Sequence, residues 1–279
     1  MAGGKRCAVL GAPIAHSLSP VLHRAAYASL GLRDWAYDAV ACDEAALPGL
    51  LDGLDASWAG LSLTMPLKRA VLPLLDDVSE LAVTVGGANT VTFRDGRRRG
   101  DNTDVAGIVA ALAEAGGPPP RSAVVLGAGA TAASTLAALR EMGVADVTVL
   151  ARDLRRTTDL REAADRLGAA PGIAPLDDIK DHLGADLLVS TLPSGAADAL
   201  APLVAGAPPR VVFDVVYAPW PTTLGAAAAD AGAAVVGGLP MLVHQAARQV
   251  ELMTGRRVPE TVVADMRAAG ESELARRAS

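Results

Sequence analysis

The chain has 279 residues, 51% of them apolar and 20% charged, with a formal net charge of −6. At about 150 residues per domain that length suits two modest domains, and the composition excludes a disordered chain. The acidic balance gives no footprint for nucleic acid, whose phosphates need a basic surface, and no apolar run reaches the ~18 clean residues of a membrane span.

From the N-terminus, Lys5 and Arg6 precede the apolar stretch Cys7 to Ala15. Gly11 and Pro13 break it and no small-x-small cleavage site follows, so a cytoplasmic address is expected rather than a secretory leader. Apolar runs then alternate with helical patterns: Cys7 to Gly11 then Pro20 to Leu30, Trp35 to Cys42 then Glu44 to Leu54, Trp58 to Thr64 then Pro66 to Leu75. This is the grammar of βαβ units. Between the first strand and helix stands Gly11-Ala12-Pro13-Ile14-Ala15-His16-Ser17-Leu18-Ser19-Pro20. Ser19 as the helix cap, with Pro20 first in the helix, accounts for the Ser-Pro pair without a ligand. Ser17 and Ser19 beside a positive helix end could also bind a carboxylate. In Gly60-Leu61-Ser62-Leu63-Thr64-Met65-Pro66-Leu67-Lys68, a helix beginning at Pro66 places Lys68 in its first turn, against the helix dipole. A solvated lysine is the plain reading; the unfavourable placement argues for a use.

A strand over Ala88 to Phe93 follows, then a turn at Asp95-Gly96 before Arg97-Arg98-Arg99, read as a solvated hairpin end. Ala88-Asn89-Thr90 and Gly100-Asp101-Asn102-Thr103-Asp104 group uncharged polar residues and one carboxylate before a helix over Asp104 to Ala115; Asp104 could serve simply as its cap. Gly116-Gly117-Pro118-Pro119-Pro120 stops that helix and is the best linker in the chain. A second alternating series has strands at Ser122 to Leu126, Asp146 to Leu150, Asp186 to Ser190, Arg210 to Val216 and Ala233 to Val236, and the chain closes in helices over Met241 to Met253 and Pro259 to about Arg276.

The second series opens with Gly127-Ala128-Gly129-Ala130-Thr131-Ala132 between a strand and a helix. Gly127 permits the tight turn, Gly129 admits a pyrophosphate to the backbone, and the small Ala132 lets helix and strand pack closely. Alone the pattern also fits a plain packing turn; its strand-turn-helix setting argues for dinucleotide binding. After the next strand, where an enzyme using NAD offers an acid to the ribose, this chain has Arg152, Asp153 and Arg156. The two arginines could pair with the 2′-phosphate of NADP, whereas Asp153 would repel it unless it points away. Cys7 and Cys42 are too few for a disulfide framework, and neither they nor His16, His23, His182 and His244 have metal-ligand spacing, so no metal is expected.

In order along the chain, G-x-P-I-x-H-S-x-S-P, L-T-M-P-x-K, A-N-T, D-N-T-D, G-A-G-A, Tyr217-Ala218-Pro219 and Gly238-Leu239-Pro240-Met241-Leu242-Val243-His244-Gln245 resemble the shikimate dehydrogenases over nearly the whole length. The resemblance implies NADPH-dependent reduction of 3-dehydroshikimate to shikimate, a step toward the aromatic amino acids. It implies that Ser17 and Ser19 hold the substrate carboxylate, that Thr64, Asn89, Asp104 and Gln245 hold the ring hydroxyls, that Lys68 and Asp104 form the catalytic pair, and that Tyr217 closes the substrate pocket. It places the cofactor against Gly127, Gly129, Ala130, Ala132, Arg152, Arg156 and Gly238. The chain departs from the family at Ser62-Leu63, where Asn-Val is usual, at Ala130, where a glycine is common, and at Ala151-Arg152-Asp153, where Asn-Arg-Thr is usual.

The expected architecture is α/β in two domains. Residues 1–104, completed by helices over 239–279, form a substrate-binding and catalytic domain, and residues 105–238 a doubly wound, Rossmann-type NADP-binding domain. The expected protein is a monomer or homodimer whose partners are small molecules. A quinate or aminoshikimate dehydrogenase would share almost every motif. A dinucleotide-sensing protein without turnover would be favoured by loss of Lys68 or Asp104, and both are present. A methylene-tetrahydrofolate dehydrogenase has a similar plan but does not require the paired serines.

Overall fold

The computed structural model describes residues 4–278. They divide into two compact units, one built from the chain up to Thr103 and from Leu242 onward, the other continuous from Asp104 to Met241.

The first unit runs β1 (Lys5–Gly11), α1 (Ser19–Ser29), β2 (Trp35–Ala41), α2 (Leu47–Asp52), β3 (Trp58–Leu63), α3 (Leu67–Ala70), β4 (Asp77–Val78), α4 (Glu80–Val85), β5 (Thr90–Arg94) and β6 (Arg97–Asp101). Six strands make one sheet in the order β2-β1-β3-β5-β6-β4. β1 pairs parallel with β2 and β3, as the βαβ grammar requires, whereas β5 enters antiparallel to β3 and turns back into β6. The hairpin turn at Asp95 and Gly96 has both residues at positive φ, 53° and 74°, the geometry that matches strand twist in a two-residue loop. Beyond it, Arg97 and Arg98 form exposed ion pairs with Asp77 and Asp52 at 2.9 and 2.8 Å. Leu10, Leu61, Leu63, Leu67, Val71 and Val91 fill the core on one side of the sheet.

The helix expected over Pro66 to Leu75 is instead the single turn α3 followed by a 3₁₀ turn at Leu72–Leu74, since Pro73 cannot donate to a continuing helix. β4 and α4 lie outside the expected elements. The latter is capped by the Ser79 hydroxyl, which accepts from the Ala82 N–H, and stopped at Gly86, left-handed at φ 70°.

The second unit runs α5 (Asp104–Glu114), β7 (Ser122–Leu126), α6 (Ala130–Glu141), β8 (Asp146–Ala151), α7 (Thr158–Leu167), β9 (Gly172–Pro175), β10 (Leu187–Ser190), α8 (Ala201–Gly206), β11 (Val211–Asp214), α9 (Thr223–Asp230) and β12 (Ala234–Val236). Gly116 and Gly117, both at positive φ, end α5. Its six strands lie in the order β12-β11-β10-β7-β8-β9, with every pairing parallel. Counted from β9 this is third, second, first, fourth, fifth, sixth: the doubly wound order, whose direction reverses between β7 and β10. Helices on both faces bury the strands, which is why Val124 to Leu126, Leu187 to Val189 and Val211 to Phe213 are apolar without alternation. α10 (Gly238–Thr254) opens in this unit and runs into the first, and α11 (Glu260–Ala278) packs on α1. Among the described residues no helix is long and apolar enough to cross a membrane.

His23 of α1 is fully buried, stacked on Tyr37 with ring centroids 3.8 Å apart. Its Nδ1 lies 2.9 Å from the Ser19 carbonyl, which only accepts, so the proton is on Nδ1. Nε2 is buried with no partner among the described residues, and burial lowers the pKa to about 4. The unfolded chain therefore takes up a proton near pH 6.5 that the folded one refuses. This contribution to stability is whole above pH 6.5 and is lost as the pH falls to 4, by about 3 kcal/mol. Denaturation measured from pH 7 to 4 should show that acid slope, and His23→Phe, which keeps the stack, should remove that part of it.

Candidate active site

Three loops of the first unit and the short helix α3 are tied together at one end of its sheet by backbone hydrogen bonds. The Thr64 N–H donates to the Leu10 carbonyl at 3.0 Å and the Ala12 N–H to the Met65 carbonyl at 3.1 Å, laying the loop after β3 against the loop after β1. A Cβ on Gly11 would overlap the Thr64 methyl, so only glycine allows this approach. The Ala88 N–H donates to the Lys68 carbonyl at 2.8 Å, and the Leu63 N–H to the Asn89 carbonyl at 2.7 Å. Ser17, Thr64, Lys68 and Asn89 thus stand on adjoining segments.

Ser19 is not the helix cap. α1 begins at Ser19 itself and its cap position is Leu18, which has no side-chain acceptor; the Ser17 hydroxyl accepts only the N–H of Ser19, at 3.2 Å. The loop before Ser17 is held from the far end of the chain, where Arg277 donates to the His16 carbonyl at 2.8 Å. The helix-dipole argument at Lys68 also fails: four residues make no appreciable dipole, and Lys68 lies in the last turn of α3 as much as in the first. Asp104 is likewise inside the first turn of α5, buried, rather than a cap outside it.

Asn89 is the hub of a buried group. Its Nδ2 donates to Thr103 Oγ1 at 2.9 Å and Gln245 Oε1 at 3.3 Å, and its Oδ1 accepts the Thr103 N–H at 2.9 Å. Gln245 Nε2 is anchored on the Leu242 carbonyl at 2.8 Å. The chain therefore brings Asn89 and Gln245, 156 residues apart, into direct contact. Sequence reasoning missed what lies behind them: Tyr37, Ser62 and Gln249, all buried. The one available signal was the spacing of Gln245 and Gln249, which puts both on the same face of a helix.

In the second unit Gly127, Gly129, Ala130 and Ala132 lie at the carboxyl end of β7, where the strand order reverses and open α/β sheets bind ligands. Gly127 has φ 105° and a Cβ there would meet Thr191 Oγ1 at 2.6 Å. Thr191 itself bonds the Leu126 carbonyl through its hydroxyl at 2.8 Å, so it sets the limit on the turn. Gly129 differs: its φ of −85° suits any residue, and a Cβ would meet nothing within 4 Å. It also occupies the cap position of α6 without a side-chain acceptor, leaving the first N–H groups of the helix to an outside anion. Ala132 is fully buried where α6 meets the sheet.

Asp153 is committed to Arg155. Its carboxylate accepts from the Arg155 N–H at 3.0 Å and is gripped by Arg155 Nε and Nη2 at 2.9 and 3.0 Å. The Arg155 side chain and N–H hold its pKa below the usual carboxylate range. Arg152 and Arg156 are exposed and make no ion pair among the described residues. An open glycine, an uncapped helix start and two uncommitted guanidiniums suit a dinucleotide with a 2′-phosphate.

Tyr217 follows β11 in a loop closed at both ends by Asp214, which accepts from the Val216 N–H at 3.2 Å and the Thr222 hydroxyl at 2.9 Å. Burial raises the Asp214 pKa. A Cβ on Gly238 would overlap the Val215 carbonyl, so packing alone requires glycine there. Among the described residues no group of three or more His, Cys, Asp or Glu could hold a metal ion.

A family model described as the shikimate dehydrogenase substrate binding domain matches residues 9–91, and one described as the shikimate 5′-dehydrogenase C-terminal domain matches residues 238–269. The NADP⁺ shikimate dehydrogenase of Methanothermobacter thermautotrophicus is 36% identical over 265 residues, 92% of this chain and 93% of that one. The crystal structure of Mycobacterium tuberculosis shikimate dehydrogenase is 41% identical, with a TM-score of 0.87 over 95% of this chain and 99% of that one. The Thermus thermophilus enzyme, in complex with NADP(H) and shikimate, is 37% identical, with a TM-score of 0.83 over 96% and 99%.

The two glycines of the turn should respond differently to substitution. Gly127→Ala is strained in backbone and in space and should cost about 1–3 kcal/mol of stability. Gly129→Val should cost no more than the ~1 kcal/mol by which valine is the poorer helix cap, since a Cβ there meets no protein atom within 4 Å, yet should weaken dinucleotide binding at least ~10-fold. Melting temperatures paired with calorimetric titration separate the two; equal effects of both on stability would contradict the open cradle.

Proposed function

The chain belongs to the shikimate dehydrogenase family, and from that membership we infer that it catalyses the reversible, NADP-dependent reduction of 3-dehydroshikimate to shikimate in aromatic amino-acid biosynthesis. The observation that carries the reading to the level of residues is the contact of Asn89 with Gln245, which joins two ring-hydroxyl ligands named from separate motifs. The first unit supplies the substrate side and the second the cofactor side. The enzyme works in the cytoplasm, where Cys7 and Cys42 stay as free thiols, as a monomer or homodimer.

The chemistry assigns each residue a task. The bound nicotinamide supplies a hydride to the carbonyl carbon of the substrate. Negative charge then develops on the carbonyl oxygen, and a proton donor must stand there. The Lys68 ammonium donates that proton, with the Asp104 carboxylate orienting the ammonium and holding a ring hydroxyl. Ser17 and Ser19 hold the substrate carboxylate, Thr64, Asn89 and Gln245 the remaining hydroxyls, and Tyr217 closes over the ring. For the cofactor, Gly127, Gly129, Ala130 and Ala132 shape the pyrophosphate cradle, Arg152 and Arg156 hold the 2′-phosphate, and Gly238 lines the nicotinamide end.

Lys68→Ala should lower kcat by roughly 10²- to 10⁴-fold with a much smaller change in shikimate affinity. Steady-state kinetics with shikimate and with quinate tests both the role and the substrate: near-full kcat in the variant would remove Lys68 from the chemistry, and a higher kcat/KM for quinate would overturn the substrate. Arg152→Ala should abolish most of the preference for NADP and leave activity with NAD nearly unchanged, since Asp153 is already neutralised by Arg155. An unmodified protein with equal or greater kcat/KM for NAD would overturn the cofactor assignment.

A further inference from the structure

The last helix of the chain is tied to the first at both ends. α11 packs on α1, with Val262, Val263, Met266 and Gly270 buried. Ser29, at the end of α1, donates its hydroxyl to Asp265 Oδ2 at 2.6 Å. Arg277, about three turns further along α11, donates through Nη1 to the carbonyl of His16, just before α1 begins, at 2.8 Å. The two helices therefore run antiparallel, with about 18 Å of α11 between the two contacts.

The Arg277 side chain is itself aimed. Its Nε donates to Glu273 Oε1, one turn back on the same face of α11, at 2.7 Å, and this leaves Nη1 directed at the loop. Glu273 also accepts from Arg276 Nε and Nη2 at 2.8 and 2.7 Å, and the two guanidiniums lower its pKa to about 2, so it stays ionised. The His16 carbonyl and the Ser17 N–H belong to one planar peptide group. Arg277 holds the carbonyl side of that group, and the Ile14 carbonyl holds the other by accepting the Ser17 N–H at 3.0 Å. The plane from which Ser17 departs is thereby fixed. Ser17 Oγ in turn accepts the Ser19 N–H at 3.2 Å, which leaves the hydroxyl hydrogen to be given to another acceptor.

We propose that Arg277 is a positioning residue: by holding the peptide between His16 and Ser17 it presents the Ser17 hydroxyl to the carboxylate of the substrate. The proposal rests on the functional reading above, in which Ser17 is a carboxylate ligand. The energetics favour a use of this kind over a purely structural one. Partly exposed ion pairs such as that of Arg277 with Glu273 contribute little to stability, and a long side chain loses rotamer freedom when it is held. Fixing a donor before the substrate arrives lowers the ordering cost of binding instead.

The test compares shikimate with its methyl ester, which keeps the ring and loses the charge, in steady-state kinetics of the full chain. Arg277→Ala should raise the KM for shikimate about 3- to 10-fold with kcat and the KM for NADP within about 2-fold, and should change kcat/KM for methyl shikimate by less than about 2-fold. Arg277→Lys, which keeps a charged donor, should fall between Arg277→Ala and the unmodified protein. Arg256 makes a bond of the same kind at the far end of α1, where it donates to the Leu30 carbonyl at 3.1 Å. Arg256→Ala should therefore leave the KM for shikimate within about 2-fold, which separates positioning of the loop from a general loosening of α1. An unchanged shikimate KM in Arg277→Ala, an equal loss with acid and ester, or an equal rise in Arg256→Ala would overturn the proposal while the functional reading stands. An unmodified protein that neither binds nor oxidises shikimate would overturn both.

Discussion

A buried primary amide has an oxygen that must be given hydrogens and a nitrogen that must give them, and Asn89 is held so that neither can be exchanged for the other. Thr90 and Thr103 supply its oxygen; Thr103 and Gln245 receive its nitrogen. Much of the first unit follows from satisfying that one side chain. β3 and β5 must pair with Ser62 opposite Thr90, and they do. α10 must bring two glutamines one turn apart onto the sheet, which calls for chain from beyond the whole second unit. A slip of one residue in the β3–β5 register would turn Ser62 and Thr90 to the other face and leave several buried polar atoms unpaired, so the polar core selects the register as firmly as the apolar one does.

The second unit depends on a different constraint, the reversal of strand order between β7 and β10. There the helix after β7 goes to one face and the connection from β10 to the other, and the backbone between them is left uncovered. Thr191 and the Leu150 carbonyl define the walls of that opening, the first by crowding Gly127 and the second by accepting its N–H at 2.9 Å. Glycine at 127 answers to the protein, whereas a Cβ at 129 would meet no protein atom within 4 Å. The arginine-rich segment after β8 shows the same division: Arg155 is spent on Asp153, so that its neighbours Arg152 and Arg156 face solvent unencumbered.

Patterns confined to neighbouring residues were legible from the sequence. Apolar runs marked the parallel strands, Gly116-Gly117 marked the end of α5, and the residues around Gly127 marked the turn between β7 and α6. Errors arose where a local rule competed with a neighbour a few residues away. Ser19 satisfies the composition of a cap, yet the helix has already begun there, with the Leu18 carbonyl taking the N–H groups of Val21 and Leu22; Lys68 looks misplaced only if α3 continues, and Pro73 prevents that. Ser79 and Gly86 were adequate signals for α4 that went unread because the segment is short. Of Tyr37, Ser62 and Gln249 only the spacing of Gln249 from Gln245 could be read, because the rest of their meaning lies in contacts across 25 and 187 residues.

The first unit is discontinuous while the second is not, and this bears on the order in which the protein can be made. As the chain leaves the ribosome, residues 104–241 hold every strand of their own sheet and can close without waiting. The six strands of the first sheet emerge earlier, yet Asn89 and Ser62 have no glutamine to meet until α10 has been synthesised. Until α10 follows the second unit, the older part of the chain is the less finished one, with its polar core open to water.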